Sequence, residues 1–173
     1  MGILEGKRLL ITGVLTDASI AFSVARLAQE EGAELILTGA GRGLSLTRRT
    51  ARKLPVEPEV LEFDVTSAEQ AGALREHLST HWGSVDGALH AIGFAPEICL
   101  GEDFMAPDWD DVAVAMQISA YSLKTLAEVV APLMGQGGSI VGLDFDARYA
   151  WPAYNWMGVA KAALESASRY LAR

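Results

Sequence analysis

The stretch Arg8-Leu9-Leu10-Ile11-Thr12-Gly13-Val14-Leu15-Thr16-Asp17-Ala18-Ser19-Ile20-Ala21 decides how this chain folds. Five residues, mostly apolar, read as a buried strand. A loop opening on glycine follows, and an amphipathic run begins at Ser19, a residue type suited to cap a helix. A strand that turns at a glycine into a helix is the first half of a parallel strand-helix-strand unit. Outward from it, strand candidates at 35–38, 60–63, 88–93 and 139–143 are each short, apolar and closed by a Gly, Asp or Thr turn. Helical stretches at 19–31, 43–53, 67–82 and 108–134 fit between them. A last helix is expected to begin near Pro152, which suits a first helical position, and to run to the end. In the 108–134 stretch Val112, Met116, Ser119, Leu123, Leu126, Val130 and Leu133 recur at helical spacing and predict a buried stripe. The alternation predicts an α/β fold with five strands in a parallel sheet and helices on both faces.

The bulk properties narrow the function classes. With 173 residues, half of them apolar, the chain buries a real core but has the size of a single domain, here 1–173. A formal net charge of −8 and a pI near 4.8 repel nucleic acid and anionic membrane surfaces, so neither is an expected partner. The lone cysteine, Cys99, forms no internal disulfide, and no motif around it marks a nucleophile. No apolar run approaches the roughly 18 residues of a membrane helix, and no leader is read at Met1. A cytoplasmic, metal-free protein is the expectation.

The loop after the first strand stands where a doubly wound, Rossmann-type sheet places a dinucleotide pyrophosphate, against the amides and dipole of a helix N-terminus. It departs from the three-glycine fingerprint, having Gly13 alone, and from this loop by itself Asp17 or Ser19 reads first as a plain N-cap. Other features fall at the ends of successive strands, where open α/β sheets bind ligands: Gly39-Ala40-Gly41-Arg42, Asp64-Val65 and Ala91-Ile92-Gly93-Phe94. The loop at 13–21 and these strand ends, with Asp64 and the Ile92-Gly93 pair among them, are therefore where a cofactor would be met. The second strand ends without the acidic residue that accepts a ribose 2′-hydroxyl, and Arg42 suits a 2′-phosphate, so residue types alone leave NADH and NADPH both open. The basic run Arg48, Arg49, Arg52 and Lys53 reads first as a solvated face, and Asp64 equally as a turn former.

After the fifth strand and its Asp144-Phe145-Asp146 turn comes Tyr154-Asn155-Trp156-Met157-Gly158-Val159-Ala160-Lys161. Seven residues of helix rotate roughly 700° and rise about 10 Å, so Tyr154 and Lys161 are expected on one face. An ammonium there holds ribose hydroxyls, while a phenol donates a hydrogen bond where charge develops on a substrate oxygen. Phe145 would lie near the nicotinamide or substrate. Trp151, Trp156 and Met157 read either as packing or as an apolar acyl pocket.

Taken together, residues 13–21, 91–94, 137–146 and 153–162 resemble the NADH-dependent enoyl-acyl carrier protein reductases of fatty acid synthesis, in their mycobacterial and wider actinobacterial branch. These belong to the short-chain dehydrogenase/reductase-like folds but carry Tyr-x6-Lys and a glycine-poor loop. The resemblance implies NADH-dependent reduction of a trans-2-enoyl thioester on an acyl carrier protein or CoA. In that reaction Tyr154 bonds the thioester oxygen, Lys161 holds the nicotinamide ribose and Phe145 sits beside the reacting carbons. Phe94 and Met157 would meet substrate. Gly13, Ser19 and Ile20 would touch the pyrophosphate region, Asp64 and Val65 the adenine, and Gly93 the adenosine side. Ala40 and Gly41 stand where relatives often have an aromatic and an acidic residue. The resemblance also implies a homotetramer and roughly ninety further residues after Arg173, so the chain is expected to be C-terminally truncated. A ketoreductase of the same fold, or a non-catalytic nucleotide-binding module, are the alternatives.

Overall fold

In the computed structural model, which describes residues 2–135 and 137–173, five strands form one sheet: β1 (Arg8–Thr12), β2 (Glu34–Gly39), β3 (Glu59–Glu62), β4 (Gly87–His90) and β5 (Ser139–Gly142). Their order is β3-β2-β1-β4-β5. β1 pairs in parallel with both β2 and β4, and β2 with β3, with Thr12 opposite Thr38 and Ile11 opposite Leu89. The most apolar strands are the inner ones, as a sheet covered on both faces requires: Leu10, Ile11, Leu35, Ile36, Leu37, Ala88 and Leu89 are all buried. The helices α1 (Ile20–Glu30), α2 (Gly41–Ala51) and α3 (Ala68–His81) connect the first four strands. On α1 the buried face is Ala21, Phe22, Ala25 and Ala28, three of them small. This is the expected α/β, Rossmann-type architecture.

The chain divides into two compact units. One runs through Ala91 and takes in Glu128–Val141; the other comprises Ile92–Ala127 and Gly142–Arg173. The second holds α4 (Trp109–Met116), most of α5 (Ser122–Val130) and α6 (Asn155–Ala172), with a 3-10 turn at Glu97–Cys99. Its own small core is Ala95, Cys99, Val112 and Ala115, with Met116, Trp156 and Met157 packed against it. No helix among the described residues is long and apolar enough to cross a membrane.

Three boundaries differ from the sequence expectation. The 108–134 helix is interrupted by a π-helical segment, Gln117–Tyr121, and ends in a 3-10 turn, Ala131–Leu133, that contains Pro132. The stripe is still largely buried, but Ser119 in the π segment turns its hydroxyl to the backbone of Phe94. A proline lacks an N–H and cannot continue the regular ladder. The final helix starts at Asn155, not Pro152, because Asn155 takes φ 42°, outside the right-handed helical region. β4 stops at His90 rather than Gly93, because the next amide, Ala91 N, is taken by a side chain, the Thr12 hydroxyl, at 2.9 Å.

That hydroxyl sits where strand order reverses. Thr12, only 1% exposed, accepts from Ala91 N and donates to Leu89 O at 2.9 Å, tying the carboxyl ends of β1 and β4 together. Directly after it, Gly13 has φ 79°, and a Cβ there would collide with the carbonyl oxygen of Ala91. Glycine is required on both counts. At the opposite ends of the strands, Asp86 N donates to Arg8 O, Asp86 O accepts from Ser139 N, and the carboxylate accepts from Lys7 Nζ at 2.9 Å and Arg8 N at 3.0 Å. The Lys7 ammonium and the Arg8 amide hold its carboxyl below the usual range.

Thr12→Val keeps the shape and strands one buried donor and one buried acceptor, so urea denaturation should show a loss of about 1–3 kcal/mol. Because the Asp86 carboxyl titrates lower when folded, its contribution is present above the ordinary value of 3.8 and is lost as pH falls through the depressed one. Thermal melts of Asp86→Asn should therefore show a lower Tm at neutral pH, with the gap to wild type closing in acid.

Candidate functional site

In the unit built on the sheet, residues 13–19 carry the chain from β1 to α1. Ser19 is the N-cap: its Oγ accepts from Phe22 N at 3.2 Å and donates to Thr16 O at 2.7 Å. The amides of Ile20 and Ala21, as the first two residues of α1, have no intrahelical acceptor. Asp17 is not a cap. It pairs with Lys53 at 2.6 Å, a contact that lowers its carboxyl, while Thr50 Oγ1 donates to Leu15 O at 2.9 Å. α2 thus braces the loop, and Lys53 in the basic run serves that bracing. Arg52 lies 3.5 Å from Glu57, whereas Arg42 is exposed in the first turn of α2, whose N-cap Ala40 supplies no capping side chain.

After β3, Asp64 Oδ1 accepts from Thr66 N at 2.9 Å and Thr66 Oγ1 at 2.7 Å, the turn-forming arrangement. Asp64 N donates to Gln70 Oε1 at 2.6 Å, and both Asp64 and Val65 are half-buried. Gly13, Ser19, Ile20, Asp64 and Val65 accordingly all follow carboxyl ends of strands in this one unit.

The second unit collects the other candidates. Lys161 is 8% exposed on α6 and donates from Nζ to Leu143 O at 2.9 Å. Burial pushes its ammonium below the ordinary 10.5, opposed by the charge of Asp144. A Cβ built on Gly93 would lie 3.8 Å from this Nζ and 3.9 Å from Ser119 Oγ, so even a methyl group there would touch the ammonium and its neighbour. An ammonium has three N–H donors, and the Leu143 carbonyl takes one. The remaining donors fit a ribose diol, and the α1 amides fit a pyrophosphate.

Phe145 and Tyr154 stack, ring centroids 4.1 Å apart and 19° from parallel. Tyr154 is 41% exposed and stands at the threshold of α6, not within it, with its ring on Phe145 and the left-handed Asn155 directly after it. Phe94 is exposed, but its N and O are both held by Ser119 Oγ, at 2.8 and 2.7 Å. Ile92 and Met157 are half-buried, Met157 against the Ala95–Cys99–Val112–Ala115 cluster. Trp156 packs there too, stacks on Phe104 at 4.6 Å and donates to Phe104 O at 3.1 Å, while Trp151 donates to Asp146 O. Cys99 is fully buried and burial pushes its thiol up, which makes it a packing residue. Sequence reasoning overlooks Ser119 and Asn155 as polar anchors. The signal for the first is a hydroxyl in an apolar stripe; for the second, an asparagine beside the key tyrosine.

The profile of the enoyl-(acyl carrier protein) reductase family matches residues 13–173. The chain is similar to the NADH enoyl-[acyl-carrier-protein] reductase of Mycolicibacterium smegmatis, 49% identical over 99% of this chain and 65% of that protein. The enzyme of the same name from Mycobacterium avium is 44% identical over 99% and 65%, and that of Neisseria meningitidis serogroup B 40% over 99% and 67%. The chain thus spans just under two thirds of the length of the two mycobacterial relatives. With residues 13–173 matched from the β1 turn to the end of α6, the chain belongs to the enoyl-(acyl carrier protein) reductase family.

Proposed function

We propose that this chain carries the reaction chemistry of an NADH-dependent enoyl-acyl carrier protein reductase, reducing trans-2-enoyl thioesters in fatty acid synthesis. The observation that carries this reading is the buried Lys161 ammonium, anchored by one bond to Leu143 O, with the side-chain-less Gly93 beside it. A bound nicotinamide supplies hydride, which the chain's own side chains lack.

The residues of the chain do the rest. The Ile20 and Ala21 amides, with Gly13 and Ser19 shaping their loop, would receive the pyrophosphate, and Asp64 and Val65 the adenine. Ile92 and Gly93 would line the cofactor, and Lys161 would hold its nicotinamide ribose. Reduction at the β-carbon places negative charge on the thioester oxygen, and the Tyr154 hydroxyl is the donor proposed to stabilise it. Phe145, stacked on the Tyr154 ring, limits that ring's freedom and would flank the reacting carbons. Phe94 and Met157 would meet the acyl chain. The NADH named for the curated relatives supports that cofactor over NADPH. Family membership also supports a cytoplasmic homotetramer, which light scattering of the purified chain checks.

Following NADH oxidation with an enoyl-CoA against a β-ketoacyl-CoA tests the reading. Turnover of the enoyl thioester alone is expected, and Tyr154→Phe should lower kcat roughly 100-fold. Reduction of the ketoacyl thioester alone would make the chain a ketoreductase, and no oxidation with either, unchanged by Tyr154→Phe, would sink the enzymatic reading. The charge on Lys161 provides a separate check. Its folded value is depressed, so dinucleotide binding that needs the ammonium should weaken on an alkaline limb whose midpoint lies below 10.5. The cost of burying the charge is complete below that folded value and fades as pH rises to 10.5, so wild-type stability gains there. Lys161→Met should abolish both the alkaline binding limb in a nicotinamide fluorescence titration and the alkaline stability gain.

A further inference from the structure

A strap across the start of α6 decides where the Tyr154 ring stands. Asn155 occupies the left-handed region at φ 42°, the only described non-glycine residue to do so. Asparagine tolerates that region better than most side chains, but the conformation persists only when surroundings impose it. Here they do. Asn155 Nδ2 donates to Asp103 O at 3.0 Å, Trp156 Nε1 donates to Phe104 O at 3.1 Å, and Gly101 N donates to Ala153 O at 3.2 Å. The Phe104 and Trp156 rings add a stack at 4.6 Å. Residues 101–104 therefore grip the chain on both sides of Tyr154, through three hydrogen bonds and one aromatic contact.

We infer that Asn155, held by the 101–104 segment, is a positioning residue for Tyr154: its left-handed turn takes the tyrosine out of the helical repeat and delivers the ring onto Phe145. The inference rests on the functional reading above for its kinetic consequence but not for its geometry. Without the turn, α6 would extend back through Tyr154, and helical periodicity would aim the ring. With it, Tyr154 contributes its carbonyl to Gly158 N at 3.3 Å while its ring meets Phe145 at 4.1 Å. The carboxamide is used for its donor. Its Oδ1 is buried with no hydrogen-bond partner among the described residues, so a neutral, donating end toward Asp103 is what the site selects.

The test combines ring position with kinetics on the full 173-residue chain. Labelling with 3-fluorotyrosine gives four fluorine resonances, of which Tyr154→Phe assigns one. Asn155→Ala removes both the donor and the tolerance for positive φ; Asn155→Gly removes only the donor. The Tyr154 resonance should move toward its solvent value in Asn155→Ala and less far in Asn155→Gly, while the other three stay put. With an enoyl-CoA, kcat should fall roughly 10- to 100-fold in Asn155→Ala with KM for NADH within about twofold, the signature of a misplaced reacting group. Trp156→Phe, which keeps the stack and loses one strap bond, should shift the same resonance and serves if Asn155→Ala does not fold. A Tyr154 resonance unmoved in every folded variant overturns the inference, as does damage by Gly equal to that by Ala. If wild type turns over no thioester but the resonance moves as stated, the positioning role stands and the enzymatic reading fails. If wild type turns over the enoyl thioester and Asn155→Ala does so equally well, the enzymatic reading stands and the positioning role is overturned.

Discussion

Thr12 bridges two strands with a single hydroxyl, and the carboxyl edge of the sheet depends on it. A parallel sheet whose order reverses between β1 and β4 splays its chain ends apart there, because the loops leaving those two strands run in different directions. Thr12 supplies the link that main-chain pairing no longer provides, taking Ala91 N–H and giving to Leu89 O. Close approach then forces the next residue to be a glycine, since Ala91's carbonyl occupies the place of a side chain. The loop's single glycine is thus accounted for by packing. The helix that follows is capped by Ser19, and the amides of Ile20 and Ala21, in its first turn, are left without intrahelical acceptors.

In the second unit the corresponding constraint is a buried charge. Removing the Lys161 ammonium from water is unfavourable, and its position is tolerated because Leu143 O and the field of Asp144 compensate in part. An ammonium so placed has donor capacity beyond its one protein bond. The π segment contributes to the same neighbourhood: Ser119, fully buried, holds Phe94 by its N and O, one residue after the Gly93 that stands beside Lys161. A π turn inside a helix is an energetically poorer geometry that recurs at functional positions, and here it aims one hydroxyl.

The order of strands and helices, the capping serine and the stop of the first helix near Gly32 were legible because each rests on local rules: apolar runs, an N-cap hydroxyl, a glycine stop. β1 and the Ser19 cap fall where those rules put them. The tyrosine-to-lysine phrase was legible as a pattern, but its geometry was not. Helical periodicity would have placed Tyr154 on α6, whereas residues about fifty positions away, Asp103 and Phe104, bond to Asn155 and Trp156 where Asn155 takes a left-handed conformation that local helical preference would not choose. The same holds for Ser119, whose spacing fits a buried stripe and whose role emerges only once Phe94 lies beside it.

By itself the sequence determined the alternation of strands and helices, the parallel sheet they imply and the residue types able to serve an enoyl reductase, because these depend on short-range periodicity and side-chain chemistry. Only the tertiary structure decided that β4 ends at His90, that the long helix carries a π turn, that Asp17 serves Lys53 instead of α1, and that Tyr154 rests on Phe145 at the threshold of α6. Each of those outcomes turns on a hydrogen bond or ring contact made by groups distant in sequence or displaced from regular geometry. The energy of such a contact exceeds the small local preferences it overrides, and no window of sequence contains both of its partners in their folded places.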